Sequence, residues 1–263
     1  MSNATAIDVM RLALQQFAYK ESPAGSNSTK FGKAYGMNRV PWCAEYVWWC
    51  GDKAKGTNPI AKSASAADIQ DLTVKNKGGS YVLKQTANNK KKKAALPDFK
   101  FGDNVSFNFS GGSSRAHTAF IVGTWGNDVY CIEGNTSATE KGSQSNGGCV
   151  AIRDRYYTNC VCVVRPKYAP SKFYEPKSAY GSAVPKLPKR GWFQYGDKGA
   201  AALQAALSWS NGYSLQRDGD FGSKTFAETV IFQIKYGLEP DGQFGEKCLS
   251  KLKEIIEKHK GGK

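Results

Sequence analysis

A near-repeat in the last part of the chain limits the folds that this region can adopt. Asp218-Gly219-Asp220-Phe221-Gly222 recurs as Asp241-Gly242-Gln243-Phe244-Gly245. Each Asp-Gly pair predicts a tight turn, and each Phe is expected to anchor the turn in the core. The Gly that follows each Phe gives the backbone conformational freedom before a helix. Apolar residues at helical spacing before, between and after the turns predict three short helices. We therefore expect a small all-α three-helix domain in residues 191–263.

A proline-rich segment separates this bundle from the rest of the chain. Five of the ten prolines fall within residues 166–190, among Ser, Tyr, Lys and Gly and without apolar periodicity. This composition is typical of a semi-extended linker. A chain of 263 residues is long enough for two domains. We expect a larger domain in residues 1–165, a linker in residues 166–190 and the small domain in residues 191–263.

Cys43 lies at the start of a predicted helix in the larger domain. Proline is favoured at the first helical position, so the helix is expected to begin at Pro41 and to stop at Gly51. The unpaired N–H groups and positive dipole end of a helix start stabilise a thiolate over a thiol. A thiolate attacks carbonyl groups, but it needs a base nearby.

His117 is the histidine best placed to act as that base. It begins a predicted buried strand over residues 117–123, whereas His259 lies in a lysine-rich tail. A cysteine at a helix start and a histidine on a strand form the arrangement of papain-like proteases.

The following strand supplies candidates for a third member. A hairpin through residues 125–128 would place residues 128–135 antiparallel to the histidine strand. Glu133 and Asn135 are two positions apart, so both are expected on one face of that strand. Either side chain could orient the imidazole and stabilise its charged form.

Two segments around the cysteine carry a resemblance to a known family. Pro41-Trp42-Cys43-Ala44-Glu45-Tyr46-Val47, preceded by Tyr35-Gly36-Met37-Asn38, resembles the nucleophile segment of CHAP domains, the cysteine/histidine-dependent amidohydrolases and peptidases of cell-wall lysis. The resemblance covers residues 1–165 and includes a Gly-Asp strand at residues 101–107, the histidine strand and the Glu-x-Asn segment. It implies a papain-like α+β domain with N-terminal helices on an antiparallel sheet.

The same resemblance implies roles for four residues. Cys43 would be the nucleophile, and His117 would act first as the base and then as the acid. Glu133 would orient the histidine, and Asn135 would be a polar support. Some CHAP domains have an Asp-rich calcium loop before the nucleophile, but residues 28–33 contain no carboxylate. We therefore expect no calcium, and no other metal or cofactor.

The remaining cysteines offer alternative interpretations. Cys131 shares a strand face with Glu133 and is the rival nucleophile, although it lacks a helix start to lower its pKa. The seven cysteines contain no CxxC pair, and the spacing of Cys149, Cys160 and Cys162 matches no standard zinc pattern. We expect these to be buried, reduced thiols.

The small domain resembles the three-helix peptidoglycan-binding domain of many wall hydrolases. The resemblance runs from Gly196-Asp197-Lys198-Gly199 through both Asp-Gly turns. Cys248 stands where that family usually has Thr, which weakens one helix cap. The resemblance implies that this domain binds the wall through residues that the pattern leaves open, while the turn residues are mainly structural.

Positive charge is concentrated in the larger domain and the linker. Of the net charge of +15, residues 1–165 contribute +9, residues 166–190 contribute +5 and residues 191–263 contribute +1. Such a field attracts polyanions, including nucleic acid, anionic membranes and the Gram-positive wall. The run Lys90-Lys91-Lys92-Lys93 is interpreted as a solvated loop, because motifs that read or stack on bases are absent. We expect a monomer that binds peptidoglycan, with no specific nucleic acid and no membrane insertion.

These features predict a peptidoglycan hydrolase of the bacteriophage endolysin or bacterial autolysin kind. An N-acetylmuramoyl-L-alanine amidase is favoured, and an endopeptidase of the stem or cross-bridge stays open. A rival of another class is a non-catalytic wall-binding or virion structural protein, and a nucleic-acid-binding protein rests on charge alone. Asp8 and Arg11 interrupt any apolar signal core. We therefore expect synthesis in the cytoplasm without a signal peptide, and action at the cell wall.

Overall fold

The computed structural model describes residues 1–85, 96–110, 113–139, 142–143, 146–176, 185–186, 188 and 192–261. These form two compact units, Met1–Ser171 and Lys172–Lys263. The first unit combines helices with a sheet, and the helices of the second follow it in the chain, so the α+β class with a helical C-terminal unit is confirmed. The lysine run at residues 90–93 and much of the predicted linker, residues 177–184, 187 and 189–190, lie outside the described residues.

In the described part of the first unit, four helices precede all six strands. They are α1 (Ala6–Leu14), α2 (Lys30–Tyr35), α3 (Cys43–Lys53) and α4 (Ile69–Lys77). Thr5 caps α1, because its Oγ1 accepts a hydrogen bond from the Asp8 N–H at 3.1 Å. The segment at residues 28–33, which lacks a carboxylate, contains the start of α2.

The helix that carries Cys43 differs from its predicted bounds. It begins at Cys43 with Trp42 as the N-cap, so Pro41 lies outside it. It also continues through Gly51, where the predicted stop is wrong. A Cβ on Gly51 would lie 2.1 Å from Oδ1 of Asn58. Gly51 is therefore required for close packing inside the helix rather than for ending it.

A six-stranded antiparallel sheet forms the other half of the first unit, as the sequence predicts. The strands are β1 (Ser80–Lys84), β2 (Asn104–Phe107), β3 (His117–Trp125), β4 (Asp128–Thr136), β5 (Cys149–Tyr156) and β6 (Cys160–Arg165). Their order across the sheet is β1-β6-β2-β3-β4-β5. The predicted hairpin joins β3 to β4, with Trp125 opposite Asp128 and Phe120 opposite Ile132.

The sheet is buried by helices and by an apolar cluster of its own. Helix α3 packs on β3 and β4, while α4 packs on β2 and β6. A separate cluster unites buried side chains from β2, β3, β4 and β6, among them Val105, Phe107, Ile121, Val129, Cys131 and Val163. Burial of this apolar area is the main favourable contribution to the stability of the unit.

The first unit includes the beginning of the predicted linker. The Tyr168 hydroxyl donates to the carbonyl of Gly102 at 2.7 Å. The Ala169 N–H donates to the carbonyl of Ala4 at 3.0 Å. These bonds join the start of the predicted linker to the α+β unit, and the compact unit runs through Ser171.

The second unit contains the three predicted helices. They are α5 (Ala201–Asn211), α6 (Ser223–Lys235) and α7 (Glu246–Gly261). Phe221 and Phe244, the aromatic residues of the two turns, are both fully buried, as expected for core anchors. In the described part of the chain, no helix has the length and apolar character needed to cross a bilayer.

Candidate active site

Cys43 is held against the sheet by close packing at Gly134 of β4. A Cβ on Gly134 would lie 2.7 Å from the Tyr46 Cβ and 2.8 Å from the Trp42 ring. Only glycine therefore lets the start of α3 approach the strand so closely. The Trp42 ring also stacks on Phe31, with 5.4 Å between the ring centroids. This packing places the first turn of α3 beside β3 and β4.

The surroundings of Cys43 favour its thiolate. The side chain is 5% exposed, and burial alone would raise its pKa. Hydrogen bonds from the His117 side chain and from the backbone N–H groups of Thr118 and Ala44 outweigh burial and lower the pKa of Cys43. The structure thus brings the predicted nucleophile and the predicted base together.

His117 joins the thiol to a carboxylate. Its Nε2 lies 3.1 Å from Oε2 of Glu133. Nδ1 has no hydrogen-bond partner within the described residues, so it is the ring nitrogen that Glu133 does not occupy, while Cys43 and His117 each shift the pKa of the other. Burial lowers the pKa of His117, but the interactions with Cys43 and Glu133 raise it to about 9. Both pKa shifts act in the same direction, because each favours the charged form of its group, the thiolate of Cys43 and the imidazolium of His117.

Glu133 is bound by Arg155, a residue that the sequence pattern did not reveal. Arg155 Nε donates to Oε1 at 2.7 Å, and Nη2 donates to Oε2 at 2.6 Å. Burial would raise the pKa of Glu133, but the bonds from Arg155 and His117 lower it to about 2. The carboxylate therefore stays ionised and stabilises the imidazolium. Two positions before Arg155 on β5, Arg153 is also buried. The sequence feature that could have revealed Arg155 is this pair of arginines, two positions apart on a buried strand. A buried arginine needs a carboxylate partner.

Aromatic rings cover this ionic group. The Arg155 guanidinium carbon lies 4.9 Å from the centroid of the Phe109 ring and 5.8 Å from that of Phe107. Phe107 also stacks beside His117, with 6.3 Å between ring centroids. Phe109 is 38% exposed, so it forms the outer edge of the stack. Limited access of water strengthens the electrostatic interactions inside.

Asn135 makes its hydrogen bonds toward the connection between β4 and β5. Its Nδ2 donates to Oδ1 of Asn146 at 3.1 Å, and its Oδ1 accepts from the Gly148 N–H at 3.4 Å. Its φ of 59° is left-handed, and the register of the strand pair shifts between Glu133 and Thr136. The regular alternation that places residues 133 and 135 on one face is therefore interrupted. Support of His117 by Asn135 stays a prediction.

The other six cysteines lie in surroundings that favour the neutral thiol. All are buried and free, and burial raises the pKa of each: Cys50, Cys131, Cys149, Cys160, Cys162 and Cys248. Cys131, the rival nucleophile, belongs to the apolar cluster and lies 3.7 Å from the carbonyl oxygen of Val129. In the described residues, no group of three or more His, Cys, Asp or Glu side chains is arranged to hold a metal ion.

Glu45 is a second buried carboxyl group near the nucleophile. It lies two positions after Cys43 and has no exposed surface. Neither carboxyl oxygen has a hydrogen-bond partner among the described residues. A Cβ on Gly32 would lie 2.9 Å from its Oε2. Burial raises the pKa of Glu45 to about 7, so the folded protein holds this group mainly as the acid below neutral pH.

In the second unit, two glutamines bind the two Asp-Gly turns in the same way. On α5, Gln204 Nε2 donates to Oδ1 of Asp218 at 2.7 Å, and its Oε1 accepts from the following glycine N–H at 3.0 Å. On α6, Gln233 Nε2 donates to Oδ1 of Asp241 at 2.7 Å, and its Oε1 accepts from the following glycine N–H at 2.9 Å. The near-repeat is therefore a repeat of turn structure, as expected.

Cys248 takes the place of a threonine in the second of these turns. In the first turn, Thr225 Oγ1 accepts from Gln204 Nε2 at 3.1 Å. In the second, Cys248 Sγ accepts from Gln233 Nε2 at 3.7 Å. Sulfur is a weak hydrogen-bond partner, so the second turn is held less strongly at this point.

One family is similar to the second unit. Residues 197–252 match the family model of the peptidoglycan binding domain. The match spans both Asp-Gly turns and reaches into α7. It supports a helical peptidoglycan-binding domain in this part of the chain and association with the cell wall. No curated protein and no solved structure matches the chain.

Proposed function

We propose that this chain is a CHAP-type peptidoglycan hydrolase in which Cys43 attacks an amide of the bacterial wall. The observation that carries the proposal is the series Cys43, His117 and Glu133, in which a buried thiol at a helix start, a histidine and a carboxylate interact in that order. The peptidoglycan-binding domain at residues 197–252 supports the wall as the substrate. The helix-borne cysteine and strand-borne histidine also support a papain-like arrangement.

The geometry supports a two-stage reaction. The Cys43 thiolate attacks the amide carbonyl carbon, and the oxyanion that forms is stabilised by backbone N–H groups at the start of α3. The His117 imidazolium then protonates the leaving amine as the C–N bond breaks, which leaves a thioester. The neutral imidazole next removes a proton from water, whose oxygen attacks the thioester and releases the thiolate.

Glu133 and Arg155 serve this sequence without touching the substrate. Glu133 orients the imidazole through Nε2 and stabilises its charged form in both stages. Arg155 keeps Glu133 ionised and fixes both carboxylate oxygens. The side chain of Glu133 therefore keeps one orientation while His117 gains and loses its proton.

The second unit would retain the enzyme on its insoluble substrate. A tethered catalytic unit meets cleavable bonds at a high effective concentration. The net charge of +15 adds a long-range attraction to an anionic wall, which salt weakens. These properties suit an endolysin or autolysin acting at the cell wall.

An N-acetylmuramoyl-L-alanine amidase is the favoured activity, with a stem or cross-bridge endopeptidase as the alternative. The test is digestion of purified walls followed by end-group analysis. New N-terminal alanine on the stem peptides supports the amidase. New amines from D-alanine or the cross-bridge support the endopeptidase instead.

The nucleophile is tested by Cys43→Ala. We expect this variant to lose wall lysis while it still sediments with purified walls. Cys131→Ala, checked for folding, is the matched control and should retain lysis. A non-catalytic wall-binding or virion structural protein predicts no lysis by the unmodified chain, so that Cys43→Ala changes nothing.

A further inference from the structure

A cavity adjoins the second Asp-Gly turn of the helical unit. Its volume is about 320 Å³, which is at the lower end of the range of about 300–1,000 Å³ typical of small-ligand pockets. It lies where α6 ends and α7 begins. Its lining includes the apolar side chains of Trp192 and Leu238 and the acidic side chains of Glu239, Asp241 and Glu246.

Trp192 gives this cavity an exposed aromatic wall. Its side chain is 53% exposed, which is unusual for the largest apolar side chain. A Cβ on Gly245 would lie 3.1 Å and 3.3 Å from atoms of the indole, so the ring rests against the backbone of the turn. At Gly222, the matching position of the first turn, a Cβ would meet nothing within 4 Å. The aromatic wall therefore distinguishes the second turn from the first.

Some polar groups of the lining hold the turn, and others are left for a ligand. Gln233 and Asp241 are bonded to each other and to the turn backbone. By contrast, the indole N–H of Trp192 and the carboxylate of Glu246 have no hydrogen-bond partner among the described residues. One free donor and one free acceptor thus lie at the same apolar cavity.

The charge of the lining argues against an anionic ligand. Three acidic side chains and one lysine, Lys247, line the cavity. This excess of negative charge disfavours the carboxylates of stem peptides and the phosphates of teichoic acid. An uncharged sugar ring fits better, because its apolar face stacks on indole, while its hydroxyl and amide groups both donate and accept hydrogen bonds.

We propose that this cavity is a glycan subsite that takes one N-acetylated amino sugar of the peptidoglycan strand. Trp192 stacks on the face of the sugar ring, and Glu246 accepts a hydrogen bond from a hydroxyl group. The inference rests on the wall binding of the proposed function and assigns it to named residues. According to this proposal, the second Asp-Gly turn contributes to sugar binding, whereas the first Asp-Gly turn has only a structural role.

The test compares variants in a full-length Cys43→Ala background, so that the walls stay intact. Binding is measured by sedimentation with purified walls and by calorimetric titration with an N-acetylglucosamine tetramer. We expect Trp192→Ala to weaken both affinities about tenfold or more, as for other central tryptophan contacts. Trp192→Phe keeps a stacking surface and should lose about threefold or less, with Glu246→Gln between the two.

Tyr195→Ala is the matched control, because Tyr195 is another exposed aromatic residue of the same unit, 46% exposed and outside the cavity lining. It should bind as the background does, and circular dichroism checks that every variant is folded. Equal binding by Trp192→Ala and the background overturns the subsite. Competition by a sugar-free stem peptide, with none from the tetramer, also overturns it in favour of a peptide ligand. If the Cys43→Ala background itself does not sediment with walls, the proposed wall binding fails first.

Discussion

Arg155 and Glu133 form a two-bond ion pair in the interior of the first unit, with distances of 2.7 Å from Nε to Oε1 and 2.6 Å from Nη2 to Oε2. Oε2 of the same carboxylate lies 3.1 Å from His117 Nε2. The positive charge of Arg155 therefore acts on the proposed base through Glu133. A residue of β5 thus helps to set the protonation of a residue of β3.

We expect Arg155→Met to move the acid limb of the pH–activity profile to higher pH. In the wild type, Arg155 and His117 together lower the pKa of Glu133 to about 2, below the value of about 4.3 in an unfolded chain. Without Arg155, burial is opposed by His117 alone, so the pKa of Glu133 rises. Glu133 then takes up a proton at a pH where the wild type is ionised, and wall lysis at pH 5–6 should fall about tenfold or more.

Arg153→Met is the matched control for this profile. Arg153 is also a buried arginine of β5, and no hydrogen bond joins it to Glu133 in the described structure. Its substitution should leave the acid limb in place. Identical profiles for Arg155→Met and the wild type would contradict the positioning role.

Glu133→Gln should separate the effect on catalysis from the effect on stability. The amide keeps the shape of the side chain but loses the charge that stabilises the imidazolium, so kcat for wall lysis should fall by about 10²–10⁴. Arg155 would also lose the carboxylate that accepts two of its hydrogen bonds, at a cost of about 3–5 kcal/mol in unfolding free energy. The measurements are initial rates of wall clearance and thermal unfolding.

The double variant Glu133→Gln with Arg155→Met also removes the buried charge that Glu133 neutralises. We expect it to recover much of the lost thermal stability, because neither buried partner is then charged. Its activity should stay low. Recovery of lysis in the double variant would show that Glu133 acts only through stability.

The features that the sequence predicts are those with a local pattern. The Asp-Gly turns, the three helices around them and the hairpin between β3 and β4 follow from turn residues and apolar periodicity. The hairpin also brings Glu133 back beside His117, so two site residues follow from one local register. Gly51 was misread because its role is packing against Asn58, which no local pattern reports.

The features that the sequence does not predict depend on contacts between distant segments. Arg155 reaches Glu133 from the neighbouring strand, and the two residues are 22 positions apart in the chain. Gln204 binds a turn 14 positions later, although helix propensity treats it as an ordinary surface residue. In the sequence, Glu45 is a residue of high helix propensity. Only the packed structure shows that its carboxyl group is buried. Side-chain pairing of this kind requires the tertiary fold.

Cys43 should be the one thiol that reacts readily in the folded protein. Its pKa is lowered by His117 and by two backbone N–H groups, whereas burial raises the pKa of Cys131 and of the other thiols. At pH 6, iodoacetamide should therefore label one cysteine per chain, which peptide mass spectrometry should locate at residue 43. His117→Ala should slow the labelling about tenfold or more, because the main interaction that stabilises the thiolate is then lost. Labelling of Cys131 at a similar rate would contradict the assignment of the nucleophile.

Glu45 makes the stability of the first unit depend on pH in a predictable direction. Its pKa in the folded protein is about 7, above the value of about 4.3 in an unfolded chain. The folded state therefore holds the proton more tightly. The stability that this provides is complete below pH ~4.3 and is lost as the pH rises through about 7.

Glu45→Gln removes this pH dependence while it keeps the size of the side chain. At pH 5 the variant and the wild type should have similar unfolding free energies, whereas at pH 8.5 the variant should be more stable by about 1–3 kcal/mol, because the wild type must then bury an unpaired carboxylate. Calorimetric unfolding at the two pH values measures the difference. Asp52→Asn, an exposed carboxylate on the same helix, should show no such change between them. A constant difference between Glu45→Gln and the wild type at both pH values would mean that Glu45 is not titrating in the folded protein.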